Sequence, residues 1–502
     1  MSALAELRSL FRLRILQLLA LVYFLVHMVA IAFRIKGAVR DPDVWWHLKV
    51  GEWIVEHHAV PYSGIFSRTA GAHPWIAYSW GYEVLLSRAY KWFGLGGFAS
   101  FGIVMTILVA FTLFWMLNRL CGEFWFAWAI AFLASLSYLF TLMPRPVYFS
   151  MILYTVELTL LLEAQRQRRI QTLYWMPLIF MLWANMHIQF IYGLCVLGMF
   201  TGINLLQRLA SKIGFELPVL TSSTLPLPGL FAVLAGSFMA TFVGPYGYHL
   251  YQVVATYSSS QVPYFMIQEL EAFSFNSFAH YLLLLLTCAA FFALGSRGRL
   301  DPFKISLLVV ASMIAFRTQR DAWFLAIAAA LFIADGRSSG EKPSPVLKVP
   351  ELLGVGAAVA IMALLIAGDF GFSQRQLDDA ISHEYPVNAA NFLRRNPLPG
   401  PLYNNLDWGG FLIWYLPQYP VSVDGRNDLY GDEMDFRAFR TENGDEYKAD
   451  PYLNEAGVVM APRDKPLAKL LAVDSRFRLI YQDRLSVIFV RNEPGRITGT
   501  AD

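Results

Sequence analysis

Long apolar runs separated by short polar segments occupy most of the first 368 residues of this 502-residue chain. Most of these runs have roughly 17 to 22 residues, the length that an α-helix needs to cross about 30 Å of hydrocarbon. The pattern therefore predicts about eleven transmembrane helices. They are placed at 15–34, 96–117, 124–142, 147–163, 172–190, 191–208, 229–246, 278–295, 304–317, 321–335 and 351–368.

Composition and loop charge give the class and the orientation. The chain is 56% hydrophobic and 15% charged, with a net charge of +3, which is typical of a membrane protein and does not indicate nucleic-acid binding. Three isolated cysteines predict no disulfide. Lys and Arg recur in alternate loops, so we expect a cytoplasmic N-terminus, a retained signal anchor and an extracytoplasmic C-terminus, in a bacterial cytoplasmic (inner) membrane.

The residues after the last apolar run have the pattern of a small α/β domain. We predict a transmembrane domain over 1–368, with 35–95 as its first outer loop, and an extracytoplasmic domain over 369–502. Short apolar stretches alternate here with amphipathic ones. Helices are predicted at 387–395 and 432–440, and strands at 402–404, 421–423, 457–460, 478–481 and 486–490.

Two acids stand at the start of the first outer loop, in the stretch RDPDVWWHLKVG over 40–51. Asp41 and Asp43 are followed by two tryptophans and His47, and two amphipathic helices are predicted nearby, at 45–56 and 80–92. Such aromatic helices suit a membrane interface, and an aromatic belt without chemistry is the simpler alternative. An aromatic belt does not require acidic residues, so we expect a catalytic site here.

Further polar residues fall on the side predicted to be outside. Glu269 lies among aromatics, with capping of a helix as its alternative role. Arg317 and Arg320 stand against the charge bias and predict an anionic partner such as a lipid-linked phosphate, with snorkelling or a salt bridge to Asp321 as the alternative. Second-tier candidates lie near the outer ends of the third and fifth runs and in a polar run over 404–433. They are Arg145, His187, Asp407, Asp424 and Arg426. The pairs Gly409-Gly410 and Asp424-Gly425 predict backbone bends in the polar run, where Asp407, Asp424, Arg426 and Asp428 would be exposed together.

These residues supply what glycosyl transfer from a lipid phosphate requires: a carboxylate, cations for the departing phosphate, and apolar surface for the lipid. The arrangement resembles the GT-C superfamily of multi-pass membrane glycosyltransferases. Locally it is similar to the catalytic subunit of oligosaccharyltransferase, on RDPDVWWHLKVGEWIVEHHAVP, MIQELEAFSF and LDWGGFLI with VDGRND. Two departures are the turn MPRP, which lacks an acid, and DWGG, which lacks a second tryptophan before its aspartate.

The resemblance implies a transferase acting on the extracytoplasmic face. It implies that Asp41 is the catalytic carboxylate of the first loop and acts as the base, with Asp43 as its alternative. Glu269 would match the glutamate of a later outer loop that helps hold the acceptor or a metal. Arg317, Arg320 and Arg145 would meet the phosphate of a polyprenyl-phosphate-linked sugar donor, and the acceptor would be protein, glycan or lipid.

Other implications stay open at this point. The substrate pocket would be lined by five residues: His47, His187, Asp407, Asp424 and Arg426. Mg²⁺ or Mn²⁺ on Asp41 and Glu269 is an open expectation, because hard cations prefer oxygen ligands. A flippase for lipid-linked sugars and a non-catalytic membrane scaffold are the alternatives to a transferase.

Overall fold

The structure is a computed structural model that describes residues 2–36, 39–214, 225–259, 268–337, 347–369 and 373–492. Part of the predicted loop 247–277 and most of the polar segment 336–350 lie outside these residues. The chain divides into two compact units, each built from separate stretches of sequence. Unit 1 is Met1–Ala38, Ala99–Leu250 and Ile267–Phe372; unit 2 is Val39–Phe98, Tyr251–Met266 and Ser373–Asp502. The predicted first outer loop thus belongs to the same unit as the C-terminal residues.

Unit 1 is helical throughout its described residues. Its helices begin and end close to the ends of the predicted apolar runs, because each run supplies the apolar surface of one helix. The helices are Ser2–Lys36, Leu95–Cys121 (which starts in unit 2), Phe124–Ser137, Val147–Gln167, Met176–Met186, Phe190–Lys212, Leu227–Ala240, Phe278–Gly295, Pro302–Arg317, Ala322–Gly336 and Val349–Asp369.

Five helices in the described residues are long and apolar enough to cross a membrane. Three more apolar helices are shorter than a bilayer requires by length alone. The predicted run 172–190, for example, forms a helix only over Met176–Met186 and is preceded by a 3₁₀ turn. The count of eleven spans therefore stays a prediction. The five are Phe11–Ala32, Leu95–Cys121, Val147–Gln167, Phe190–Lys212 and Phe278–Gly295.

The helix Ala322–Gly336 lies in the centre of unit 1. All of its residues from Ala322 to Ala334 are buried, and it packs against helices 124–137, 147–167, 278–295 and 302–317. A helix that is apolar on every face needs neighbours on every face. Its alanines allow those neighbours to approach closely.

Unit 2 combines helices with one four-stranded sheet of order β1-β2-β4-β3. Strands β1 and β2 are parallel, and β4 is antiparallel to both β2 and β3. The strands are β1 (Leu402–Asn404), β2 (Val458–Pro462), β3 (Phe477–Gln482) and β4 (Ser486–Arg491). The helices are Asp43–His57, Trp80–Phe93, His249–Ser259, Gln374–Glu384, Val387–Arg395, Leu406–Tyr415, Asn427–Glu442, Pro451–Glu455 and Pro466–Leu471.

Four of the five predicted strands are confirmed, and the fifth is wrong. Residues 421–423 form only an isolated parallel bridge, Ser67 to Val421. The amide of Arg68 donates to Val421 O at 2.8 Å, and the amide of Val421 donates to Phe66 O at 3.0 Å. The segment therefore pairs with the first outer loop, about 350 residues away in sequence, and this partner is not visible in a local pattern.

Glycines allow the first-loop helices and the C-terminal helices to pack backbone against backbone. A Cβ on Gly51 would lie 2.0 Å from Glu83 O, and a Cβ on Gly410 would lie 2.5 Å from Pro42 O. Gly409 and Gly410 lie inside the helix Leu406–Tyr415, so the expected backbone bend at this pair is wrong. Because neither glycine has a side chain, this helix can lie close to the neighbouring backbone.

Candidate functional site

The two first-loop acids of unit 2 differ in burial. The Asp41 side chain is 4% exposed, and its Oδ1 accepts a hydrogen bond from the backbone amide of Asp43 at 3.1 Å. Asp43 opens the helix Asp43–His57 and is half-buried. An acid in the first helical turn is favoured by the helix dipole. Asp41 therefore fixes the entry into the helix, while Asp43 retains a partly accessible carboxylate.

Two neighbours hold the Asp43 carboxylate in place. The indole Nε1 of Trp46 donates to Asp43 Oδ1 at 3.1 Å. On the other side, a Cβ on Gly425 would lie 2.2 Å from the same oxygen. A residue with a side chain at 425 would push this carboxylate away. The Asp43 carboxylate is therefore seated against the C-terminal segment of unit 2.

The tryptophans after the acids are buried inside unit 2. Trp45 is fully buried, and its indole meets Phe98, Tyr385, Phe411 and Trp414 at ring centroid distances of 4.7 to 5.7 Å. Edge-to-face and offset aromatic pairs of this kind stabilise a core. The alternative of an aromatic belt does not hold for Trp45, because its ring is enclosed by protein.

His47 links the two first-loop helices. Its Nδ1 lies 3.0 Å from Glu83 Oε1, and both side chains are buried. Burial raises the pKa of Glu83 well above its usual range, against the opposing charge of Arg426. The His47 ring also contacts the Trp46 ring, with ring centroids 3.6 Å apart and the planes tilted by 32°. Its side chain is thus occupied in packing one helix on the other.

Asp424 and Arg426 form a buried ion pair, which corrects the expectation that they would be exposed with Asp407. Arg426 Nε and Nη2 donate to the two Asp424 oxygens at 2.8 and 2.7 Å. Arg426 Nη1 donates to Ile65 O at 2.9 Å. Both side chains have zero exposure. The pair is buried because the first loop covers it, whereas Asp407 is exposed on the helix Leu406–Tyr415.

Asp428 is a carboxylate that our sequence reasoning placed in this polar run but did not select. The Trp75 indole donates to its Oδ2 at 3.1 Å, and the Tyr257 hydroxyl donates to its Oδ1 at 3.4 Å. Burial raises the pKa of Asp428 to about 6, while the charge of Arg426 opposes the shift. A carboxyl that titrates near neutral pH is suited to proton transfer. Its burial depends on Trp75 and Tyr257, which are distant in sequence, so no local pattern indicates it.

A separate small pocket opens beside β1 and β2. Three interacting polar residues line it: Asn405, Glu442 and Lys465. Asn405 donates a hydrogen bond to Glu442 Oε1, and Lys465 Nζ lies 3.8 Å from the same carboxylate. Neither first-loop acid lines it. This cavity is therefore not the predicted site.

In unit 1, two of the predicted site residues bind each other. Arg145 Nη1 lies 2.9 Å from Glu269 Oε2. Glu269 belongs to a 3₁₀ turn, Gln268–Leu270, and Arg145 precedes the helix Val147–Gln167. The pair ties the later loop to the MPRP turn, and each residue supplies a counter-charge for the other.

The turn that carries Arg317 and Arg320 lies between helices 302–317 and 322–336. Arg317 is exposed and Arg320 is half-buried. Asp321, the alternative partner, accepts hydrogen bonds from Thr318, Gln189 and Tyr192 at 2.8, 3.0 and 3.2 Å. Within the residues that the structure describes, neither arginine makes a salt bridge to it. Asp321 is satisfied by neutral donors, so the salt-bridge alternative is wrong.

His187 follows the helix Met176–Met186 and is half-buried. Its Nδ1 lies 2.7 Å from Ser150 Oγ, and the Trp183 indole donates to the same hydroxyl at 2.7 Å. The nearby Asn185 donates to Met181 O and Val243 O. Asn185 thus joins two segments of unit 1, the common role of such a residue in a helix bundle.

The described residues contain no group of three or more His, Cys, Asp or Glu side chains that could hold a metal ion. Asp41 Oδ1 already accepts a backbone amide, and Glu269 Oε2 faces Arg145. Mg²⁺ and Mn²⁺ need several oxygen ligands around one point. The donor sets at these two residues do not fit such an ion, and we derive no step through a metal.

Two solved structures are similar to this chain over most of its length. One is the Archaeoglobus fulgidus oligosaccharyltransferase in complex with Zn and sulfate, with 12% identity and a TM-score of 0.42, covering 88% of this chain and 68% of that chain. The other is ArnT from Cupriavidus metallidurans bound to undecaprenyl phosphate, with 14% identity and a TM-score of 0.44, covering 93% and 97%.

No protein-family model matches the chain, and no curated protein matches it. Because both TM-scores lie below 0.5, the function proposed below rests on this chain's own residues.

Proposed function

We propose that this chain is a membrane glycosyltransferase that transfers a sugar from a polyprenyl-phosphate-linked donor to an acceptor on the extracytoplasmic face. The observation that carries the proposal is the seated carboxylate of Asp43. It is half-buried, bonded to the Trp46 indole and packed against Gly425. A carboxylate held this way is oriented without being enclosed, as a general base requires.

The reaction is a direct displacement at the anomeric carbon of the donor sugar. Asp43 takes the proton from the acceptor hydroxyl or amine, and the acceptor atom forms the new bond to the anomeric carbon. The bond from that carbon to the phosphate oxygen breaks, and the polyprenyl phosphate leaves with the electron pair. The anomeric configuration inverts in a single displacement.

Arg317 and Arg320 are the proposed ligands of the departing phosphate. Arg320 makes no salt bridge within the described residues, although its charge also acts on the neighbouring Asp321. Arginine is suited to phosphate because its planar guanidinium presents several N–H donors. Arg145 already has Glu269 as its counter-charge, and we assign it to positioning of this loop.

The test measures release of polyprenyl phosphate from a panel of polyprenyl-phosphate-linked hexoses, in detergent, with solubilised membranes as the acceptor source. A transferase releases the lipid phosphate in micelles, whereas a flippase only moves an intact lipid across a sealed bilayer. We expect Asp43→Asn to lower the rate by about 10²- to 10⁴-fold, as loss of a general base does.

The controls distinguish the acids from one another. Asp378→Asn removes an exposed acid of the helix Gln374–Glu384 and should leave the rate unchanged. Asp41→Asn and Asp428→Asn test the other two carboxylates. Full activity of Asp43→Asn would exclude it as the base, and absence of any donor turnover would contradict the transferase itself.

A further inference from the structure

Two tryptophans of unit 2 each donate a hydrogen bond from the indole nitrogen to a carboxylate. Trp46 Nε1 donates to Asp43 Oδ1 at 3.1 Å. Trp75 Nε1 donates to Asp428 Oδ2, also at 3.1 Å. The two indoles contact each other, with ring centroids 6.2 Å apart and planes inclined at 77°. A continuous series of contacts therefore joins the two carboxylates through the two indoles.

Both indoles have little freedom to move independently. Trp75 is 2% exposed and Trp46 is 5% exposed. The guanidinium of Arg426 lies over the Trp75 ring, with Cζ 4.8 Å from the ring centroid, and Arg426 is itself held by two bonds to Asp424. Because protein interiors are closely packed, a large ring enclosed in this way moves only together with its neighbours. A change in how Asp428 holds Trp75 is therefore passed on to Trp46.

Asp428 is the carboxylate in this series that changes its charge near neutral pH. Burial raises its pKa to about 6, while the charge of Arg426 opposes the shift. When Asp428 is ionised, it accepts the Trp75 N–H in a charge-assisted hydrogen bond, which is stronger than a bond to the neutral carboxyl group. The ionised form therefore holds Trp75 more firmly than the protonated form.

Other titratable groups of unit 2 also face the Asp428 carboxylate. The hydroxyl of Tyr257, in the later loop, donates to Asp428 Oδ1 at 3.4 Å. Glu83, in the second first-loop helix, and Asp435, two turns further along the helix of Asp428, interact with its charge. Burial raises the pKa of both of these acids. A substitution at Asp428 itself is therefore needed to separate its titration from theirs.

We infer that Asp428 is a positioning residue for Asp43, which acts through the indoles of Trp75 and Trp46 and holds the Asp43 carboxylate in its productive orientation. The inference rests on the proposed function, in which Asp43 is the base. A catalytic group has to be held within about 0.5 Å of its productive position by residues that are themselves fixed. In this role Asp428 takes no proton from the acceptor.

The first experiment measures kcat and the KM for the lipid-linked donor in the release assay. We expect Asp428→Ala and Trp75→Phe each to lower kcat about tenfold with KM unchanged, because a displaced base loses rate rather than substrate binding. Combining the two should cost no more than either alone, since both interrupt one series of contacts. Asp428→Asn keeps an acceptor oxygen for the indole and should restore part of the loss.

The matched control for the indole substitution is Trp53→Phe, which alters a half-buried tryptophan that stacks on His57 and should keep full kcat. Losses that multiply in the double variant would overturn the inference, as would an unchanged kcat in Asp428→Ala. If Asp428→Asn and Asp428→Ala both lose as much activity as Asp43→Asn, Asp428 takes part in the chemistry itself and the positioning role is wrong.

The second experiment reads the series of contacts without turnover, by fluorine NMR of the full chain labelled with 5-fluorotryptophan in nanodiscs. The chain has 14 tryptophans, and replacing Trp45, Trp46 or Trp75 by Phe identifies their signals. We expect the signals of Trp46 and Trp75 to shift with a common midpoint near pH 6, and Asp428→Asn to abolish both shifts. Trp45 packs on other rings and its signal should not follow.

His47 is a titratable group that also contacts the Trp46 ring. A Trp46 signal that still titrates in Asp428→Asn would assign the shift to His47 and overturn the inference, as would a Trp75 signal that does not titrate in the unaltered chain. If both indoles follow Asp428 while Asp43→Asn keeps full activity, the proposed function fails and the coupling of the two carboxylates stands.

Discussion

Two arginines, Arg426 of unit 2 and Arg320 of unit 1, differ in the bonds they make. Unit 2 buries charge in internal bonds: Arg426 has zero exposure, two bonds to Asp424 and one to Ile65 O. Unit 1 pairs Arg145 with Glu269 but leaves Arg320 half-buried, with no ion pair in the described residues. Buried, satisfied groups mainly hold a fold together, whereas a half-buried arginine that makes no salt bridge keeps N–H donors for an anion from outside. The proposed function therefore expects the anion at Arg320.

The largest predicted effect tests the buried pair of unit 2. Arg426→Met leaves the Asp424 carboxylate buried and uncompensated, so we expect a loss of about 3–5 kcal/mol in the free energy of unfolding. Denaturant unfolding of the purified protein, followed by tryptophan fluorescence, measures it. Arg440→Met removes an exposed ion pair with Glu446 and should cost less than about 1 kcal/mol. Similar losses in both variants would contradict the comparison.

A smaller effect of opposite sign is predicted in unit 1. Glu157 is fully buried in the helix Val147–Gln167, and neither carboxylate oxygen has a hydrogen-bond partner in the described residues. Burying an unsatisfied polar group costs about 1–3 kcal/mol. Glu157→Leu keeps the volume and removes that cost, so the protein should unfold at higher temperature. Destabilisation instead would show that Glu157 has a partner, and would make it a candidate for function.

The smallest effect per pH unit concerns Asp435, on the helix Asn427–Glu442 of unit 2. Burial, and then the negative charges of Asp424, Asp432 and Asp428, raise the pKa of Asp435 to about 8. Between about pH 4 and pH 8 the folded protein holds a proton that the unfolded chain has lost. Stability is then greatest at low pH and falls as pH rises, by at most about 1.4 kcal/mol per pH unit.

Asp435→Asn removes this titrating group and should reduce the slope, while Asp428 and Glu83, whose pKa values are also raised, keep part of it. Thermal unfolding at pH 5 and pH 8 compares the two proteins, and Asp378→Asn, at an exposed acid, should keep the slope of the unaltered chain. An unchanged slope in Asp435→Asn would place the titrating group elsewhere.

The sequence by itself determined the elements whose pattern is local. The helix Val387–Arg395 and the strand Leu402–Asn404 lie where predicted, and the strand Ser486–Arg491 extends one residue beyond its prediction. Both first-loop helices are also present, as Asp43–His57 and Trp80–Phe93. Side-chain periodicity records which face of a helix or strand is buried, and that record needs no knowledge of the partner. It also located the acids and arginines that any site here would use.

Only the tertiary structure decided which of those polar residues are enclosed. Asp424 and Arg426 are in the same polar run as Asp407, yet they are buried because Ile65 and Trp75 of the first loop cover them. His187 Nδ1 lies 2.7 Å from the hydroxyl of Ser150, 37 residues earlier. Each of these outcomes is set by a contact between residues distant in sequence, and burial and hydrogen bonding respond to such contacts rather than to a local pattern.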